Sequence, residues 1–193
     1  AACGNGEKKA PETTAAPTTE VTTATPTTTA PTTTASASSD AKEVSLGDTQ
    51  RIGREDVGYI NIPKDWVAYK AENSKQQFQY SSTDKYNVLS MNAYTKETVK
   101  LGDNETFSAR LIADRLYNYW QKEKDQTNLQ GVKAKFAGED SFLMKVSFSD
   151  GKHLYEWVFQ KGDKVYTIAI EGTADMINTL RPVFEQSWGL NAK

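Results

Sequence analysis

Few residues in this chain could carry out catalysis. His153 is its single histidine and Cys3 its single cysteine. A histidine cluster for zinc cannot form, and any Ser-His-Asp triad would have to run through His153. That residue stands two positions before Tyr155 in an alternating segment. Asp150 and Glu156 could approach it as ligands or orienters, yet the spacing favours neither, so it reads as a strand histidine without a catalytic task. Glu139 and Asp140 form an adjacent carboxylate pair just before a strand. Neighbours in an extended chain point to opposite faces, which suits a solvated turn better than two-carboxylate catalysis or cation binding. Gly131, Gly138, Gly151 and Gly162 stand singly, as turn residues rather than a phosphate-cradling cluster before a helix. Asn104-Glu105-Thr106 fits a glycosylation sequon but reads more readily as a helix cap. The expectation is a non-enzymatic protein with no metal site and no cofactor.

Aromatic residues are the one feature that points toward binding. Tyr and Trp combine large contact area with a polar tip, which suits partner recognition, although most must fill a core. Trp66, Tyr69 and Tyr117 are the candidates for a binding cleft, formed where a turn after the first strand meets the exposed flank of a long helix.

The elements that would position them follow from hydrophobic period. Val57 to Ile62 reads as a strand and Pro63-Lys64-Asp65-Trp66 as the turn after it. Val67 to Glu72, Gln76 to Ser81 and Asn87 to Tyr94 are further strands. Between Asp103 and Lys124 the period becomes helical: Phe107, Leu111, Ile112, Leu116, Tyr119 and Trp120 recur on one face, with Asp103 or Asn104 as the cap. Ser141 to Ser149, the strand holding His153 to Gln160, and Val165 to Glu171 then succeed one another through turns at Asp150-Gly151 and Lys161-Gly162-Asp163. The last of these is apolar on both faces, so the sheet should be covered on both sides. A final helix directs Ile177, Leu180, Phe184 and Trp188 inward, with Pro182 expected to kink it or mark its start.

Composition divides the chain near residue 44. Ala10 to Ser39 holds thirteen threonines and four prolines, no aromatic residue and one larger aliphatic, Val21. Such a segment buries too little apolar surface to offset its ordering entropy, so residues 10–43 are expected to be a disordered linker. Polyproline-like extension at roughly 3.1 Å per residue would reach on the order of 120 Å over about 40 residues, against about 35 Å for a flexible coil. O-glycosylation is compatible with this composition. Residues 44–193 have the size of one domain and hold every tryptophan, tyrosine and phenylalanine. Residues 1–43 contain three lysines and five carboxylates, which leaves 20 charges of each sign in the domain and no net charge there. No basic stripe suggests nucleic acid, and no run of about 18 apolar residues suggests a spanning helix.

Ala1-Ala2-Cys3-Gly4 resembles the cleaved end of a bacterial lipoprotein signal, in which small residues precede the lipidated cysteine. The resemblance implies that residues 1–9 are an anchor region with diacylglyceryl on Cys3, tied to a membrane by more than one acyl chain. Glycine after the cysteine and the long stalk are similar to Gram-positive surface lipoproteins.

A second resemblance runs from about Val57 to Leu190. Gly58-Tyr59-Ile60-Asn61-Ile62-Pro63-Lys64-Asp65-Trp66 looks like the opening strand and Pro-x-x-Trp corner of the PsbP-like family. Val165 to Gly172 and the closing Pro182-Val183-Phe184-Glu185-Gln186-Ser187-Trp188 match it too, with Trp188 where the family usually has phenylalanine. That family includes an extrinsic subunit of photosystem II and bacterial lipoproteins, and a Ran-binding nuclear import factor shares its fold. These motifs specify fold rather than activity. They imply an α+β domain, an α/β/α sandwich with a mainly antiparallel sheet, which binds or assists other proteins. A photosynthetic role is not implied. The expected protein is therefore a monomeric, surface-anchored lipoprotein with an extracytoplasmic protein partner. A small-ligand carrier with an aromatic-lined pocket is the alternative, and an enzyme built on scattered carboxylates the less favoured one.

Overall fold

The computed structural model describes residues 48–70 and 78–193. The anchor region, the linker and the expected strand ends at 69–72 and 76–77 fall wholly or partly outside them. Nine strands and two helices occupy the described residues. The first two, β1 (Thr49–Arg54) and β2 (Gly58–Pro63), form an antiparallel hairpin of their own. Seven more make one antiparallel sheet: β3 (Val67–Ala68), β4 (Phe78–Ser81), β5 (Val88–Thr95), β6 (Gln126–Phe136), β7 (Glu139–Phe148), β8 (His153–Lys161) and β9 (Lys164–Gly172). Their spatial order is β3-β4-β5-β9-β8-β7-β6, so β9, last in sequence, lies at the centre. The helices are α1 (Ala109–Gln121) and α2 (Ala174–Ser187).

Strand alternation decides which side chains meet which layer. On β8, Tyr155, Trp157 and Phe159 join the cluster that contains Ile177, Leu180 and Phe184 of α2 together with Ile60 and Ile62 of β2. Val158 joins Ile112 and Ala113 of α1, with Met144 of β7 and Val165 of β9. The sheet is thus covered by α2 and the hairpin on one side and by α1 on the other, the α+β sandwich that the two-sided apolar pattern of β9 demands. Leu89, Leu143, Trp157, Ile168 and Ile170 are all fully inaccessible at the centre of the larger core.

Two strands escape the period. β6 is one edge of the sheet, and most of its side chains are exposed; β1 contributes only Ile52 to the core. Gly131, read as a turn residue, lies within β6. Glu139 and Asp140, read as a solvated turn, begin β7, where they pair separately with Lys161 (2.7 Å) and Lys135. Nor does α1 begin where the sequence suggests. Ser108 caps it by accepting from the Leu111 N–H at 3.1 Å, while Glu105 accepts from Gly102 N at 2.8 Å and from Arg115 at 2.9 Å in the preceding turn. The helix is rotated slightly from the expected face: Ala113 and Tyr117 turn inward, and Tyr119 is 56% exposed. α2 continues through Pro182 and is capped by Thr173.

Past α2, Trp188 closes the larger core. Its ring meets Phe159 and Tyr166 with centroids 4.7 and 4.8 Å away, and its indole N–H donates to the Val57 carbonyl at 3.3 Å. Gly58, at φ +85°, lets the chain pass this ring; a β-carbon there would stand 2.6 Å from the indole. Arg51 ties the hairpin to the end of the chain, donating to the carbonyls of Ser187 and Asn191 at 2.7 Å each, and Tyr59 exchanges backbone hydrogen bonds with Gly189 at 2.8 and 2.9 Å.

Candidate binding groove

The three aromatic residues singled out from the sequence do not share a cleft. Trp66 is buried, 4% exposed, and packs with the core beneath α2. Its corner is held by Gln50, whose side-chain amide donates to the Trp66 carbonyl at 2.7 Å. Tyr69 is half-buried and pairs its N–H with the Gln79 carbonyl at 2.9 Å. Tyr117 packs with the other cluster, under α1. The sheet therefore lies between the core holding Trp66 and the one holding Tyr117, and the helix whose flank was expected to meet the Trp66 corner covers the opposite face.

Tyr117 instead lines an open groove between α1 and the β6–β7 edge, with a volume of about 250 Å³. The register explains it. Gly131 pairs with Met144 and Lys133 with Phe142, so a glycine falls where a side chain would otherwise rise toward the helix. The Tyr117 ring lies within 3.7 Å of the place a β-carbon would take there. Phe142 and Met144 form the floor. Arg110 stands at the rim, its guanidinium 5.8 Å from the Phe142 ring centroid and bonded to Asp114 at 3.0 and 3.1 Å. An apolar floor with a charged rim is the ordinary anatomy of a protein contact. A second hollow, of about 390 Å³, lies between the loop before α1 and the β8–β9 turn, with Lys96, Glu97, Glu105 and Asp163 at its rim.

No family model matches the chain, and no curated protein matches it. Among solved structures, the cyanobacterial PsbP (CyanoP) of Synechocystis is 14% identical, with a TM-score of 0.51 over 75% of this chain and 91% of that one. The domain has a PsbP-like fold. LpqN of Mycobacterium tuberculosis, described as involved in cell envelope biogenesis, is 13% identical with a TM-score of 0.44, over 72% of this chain and 88% of its own. A protein from Bacteroides thetaiotaomicron is 10% identical at 0.47, over 74% of this chain and 48% of its own.

In this PsbP-like domain the titratable residues stay scattered. His153 Nδ1 lies 3.1 Å from Ser147 Oγ, on the opposite face of β8 from Glu156, so the pairing considered from sequence does not form. Among the described residues no three His, Cys, Asp or Glu side chains gather as metal ligands. Asp150 accepts from the Lys152 N–H at 2.9 Å within its turn.

Glu156, weighed from the sequence only as a possible partner of His153, is the residue whose burial the sequence reading did not reveal. It alone among charged side chains is buried in the described domain, 9% exposed. It projects toward α1, where the Trp120 indole N–H reaches its Oε1 at 3.4 Å. Burial pushes its carboxyl up to about 7, opposed by that one hydrogen bond. Tyr94, which packs in the α1-side cluster, has its phenol raised by burial and by the Glu156 charge. A signal existed: glutamate interrupts the apolar face Leu154-Glu156-Val158.

Proposed function

We propose that this chain is a lipid-anchored, extracytoplasmic, non-enzymatic protein whose PsbP-like domain binds a partner protein in the groove beside α1. The observation that carries the reading is the groove itself, an open apolar trough at a sheet edge. An apolar floor, a tyrosine wall and Arg110 at the rim match the residue types enriched in protein interfaces. The trough is small and open, and it falls short of the roughly 300 Å³ at which enclosed small-molecule sites begin. At this trough, that favours a protruding side chain of a partner over a carried ligand. Ala1-Ala2-Cys3-Gly4 and the Thr/Pro-rich linker support anchorage on the outer face of a Gram-positive membrane.

Photo-crosslinking from position 117 on intact cells tests the reading. A single protein recovered from that position, and absent when the probe sits at exposed Lys64 on the far side of the sheet, is the expected result. Equal recovery from both positions, or none from 117, would discard the groove as the contact.

A further inference from the structure

Glu156 lies at the middle of the sheet, opposite Ala169 of β9 and Met144 of β7, on the face that α1 covers. No Lys, Arg or His pairs with it among the described residues. The charged groups nearest it are engaged elsewhere or exposed to solvent, as Lys122 and Glu123 are at the end of α1. On α1, Arg110 holds Asp114 and Arg115 holds Glu105. On β7, Lys145 lies over the Tyr155 ring, on the other side of the sheet. On β5, Tyr94 is the one titratable group facing it, its phenol raised by burial and by the Glu156 charge. On β9, Thr167 and Ala169 carry no charge. Among the described residues the one donor to Glu156 is Trp120 in the last turn of α1, a ring set edge-on against Phe148 at 5.6 Å.

A carboxylate in such a place has one weak hydrogen bond and no counter-charge, so ionisation must be relieved by admitting water. The element that covers it is α1. We propose that Glu156 is a proton-controlled latch for α1: when uncharged it lets Trp120 seat against the sheet, and when ionised it loosens the last turns of the helix and the groove wall they carry. The shift of its carboxyl to about 7 puts this change near neutral pH. Acid closes the latch and mild alkali opens it. The consequence for binding rests on the groove reading above; the latch itself does not.

Hydrogen exchange of the full chain at pH 5.5 and 8.5, corrected for the intrinsic pH dependence of exchange, reads the latch directly. Both samples carry His153→Gln, which removes the chain's imidazole. Protection of the α1 amides should fall about tenfold or more at the higher pH while β8 and β9 hold theirs. Glu156→Gln should keep α1 protected at both. A flat profile in the parent, or an equal fall in the Gln variant, overturns the proposal. Trp120→Phe supplies a second reading should Glu156→Gln not fold. Losing the indole donor moves the midpoint to higher pH, and an unmoved midpoint also overturns the latch. A titrating α1 with no crosslink at 117 discards the groove alone, whereas a crosslink with a flat profile discards the latch alone.

Discussion

A single buried carboxyl sets how this domain should respond to pH. Its value in the folded protein is raised from 4.5 to about 7. For an acid raised by folding, the unfolded chain loses its proton first, so stability is intact below about pH 4.5. It declines as pH climbs between those two values and levels off above about 7. At 1.36 kcal/mol per unit the full cost is about 3 kcal/mol. Glu156→Gln should therefore match the parent in urea unfolding at pH 4.5 and exceed it at pH 8, by up to that amount. A variant equally or less stable at pH 8 would mean that the carboxylate is compensated. Gly58 makes the opposite kind of demand. At φ +85° and in contact with the Trp188 ring, it has no room for a methyl group. Gly58→Ala should lower stability by roughly 3 kcal/mol, near the upper end for single substitutions, visible as a clear fall in Tm. The sequence shows this glycine beside an aromatic strand. Its partner, 130 positions away, only the fold could supply.

Elements were legible in proportion to how strictly burial patterns them. β7, β8 and β9 sit inside the sheet, carry continuous buried stretches and turn at glycines with φ of +88° and +62°, so their order reads directly from the chain. β6 could not be read that way. An edge strand leaves its outer side chains in water, and Gln126 to Lys135 accordingly mixes polar residues on both faces, with lysines at 133 and 135 where edges commonly carry charge. β1 is hidden for the same reason, since it holds one core residue. For α1 the period gave the helix but not its start, because Asp103, Asn104 and Ser108 are all competent caps and the choice is made by the Arg115–Glu105 contact that occupies the earlier turn. Ser108→Ala should then cost about 1 kcal/mol, measured by denaturant midpoint, whereas Asn104→Ala should cost little. The candidate site was half legible for a related reason. Tyr117 was identifiable on its helix, but its side of the sheet depended on the crossover from β5 through α1 to the far edge strand β6.

For the whole molecule, the expected arrangement is a neutral domain held off a membrane by a long spacer. Cys3→Ser should move the protein from the membrane to the soluble fraction of its host, and retention of the variant in the membrane would count against the lipid anchor. Tyr117→Ala should weaken partner capture about tenfold, or about 1.4 kcal/mol, without moving the chain off the membrane. The two variants thus separate where the protein is held from what it holds. The Arg51 clamp bears on a different matter, the order in which the domain can be completed. Arg51 lies on β1, and its acceptor at Asn191 lies 140 residues further on. Until those later segments are made, the hairpin has no Trp188 to pack against and β5 has no β9 to pair with. Contacts of such long range are slow to form. During synthesis from the N-terminus this domain would therefore stay open until the segment from β9 to Asn191 has followed.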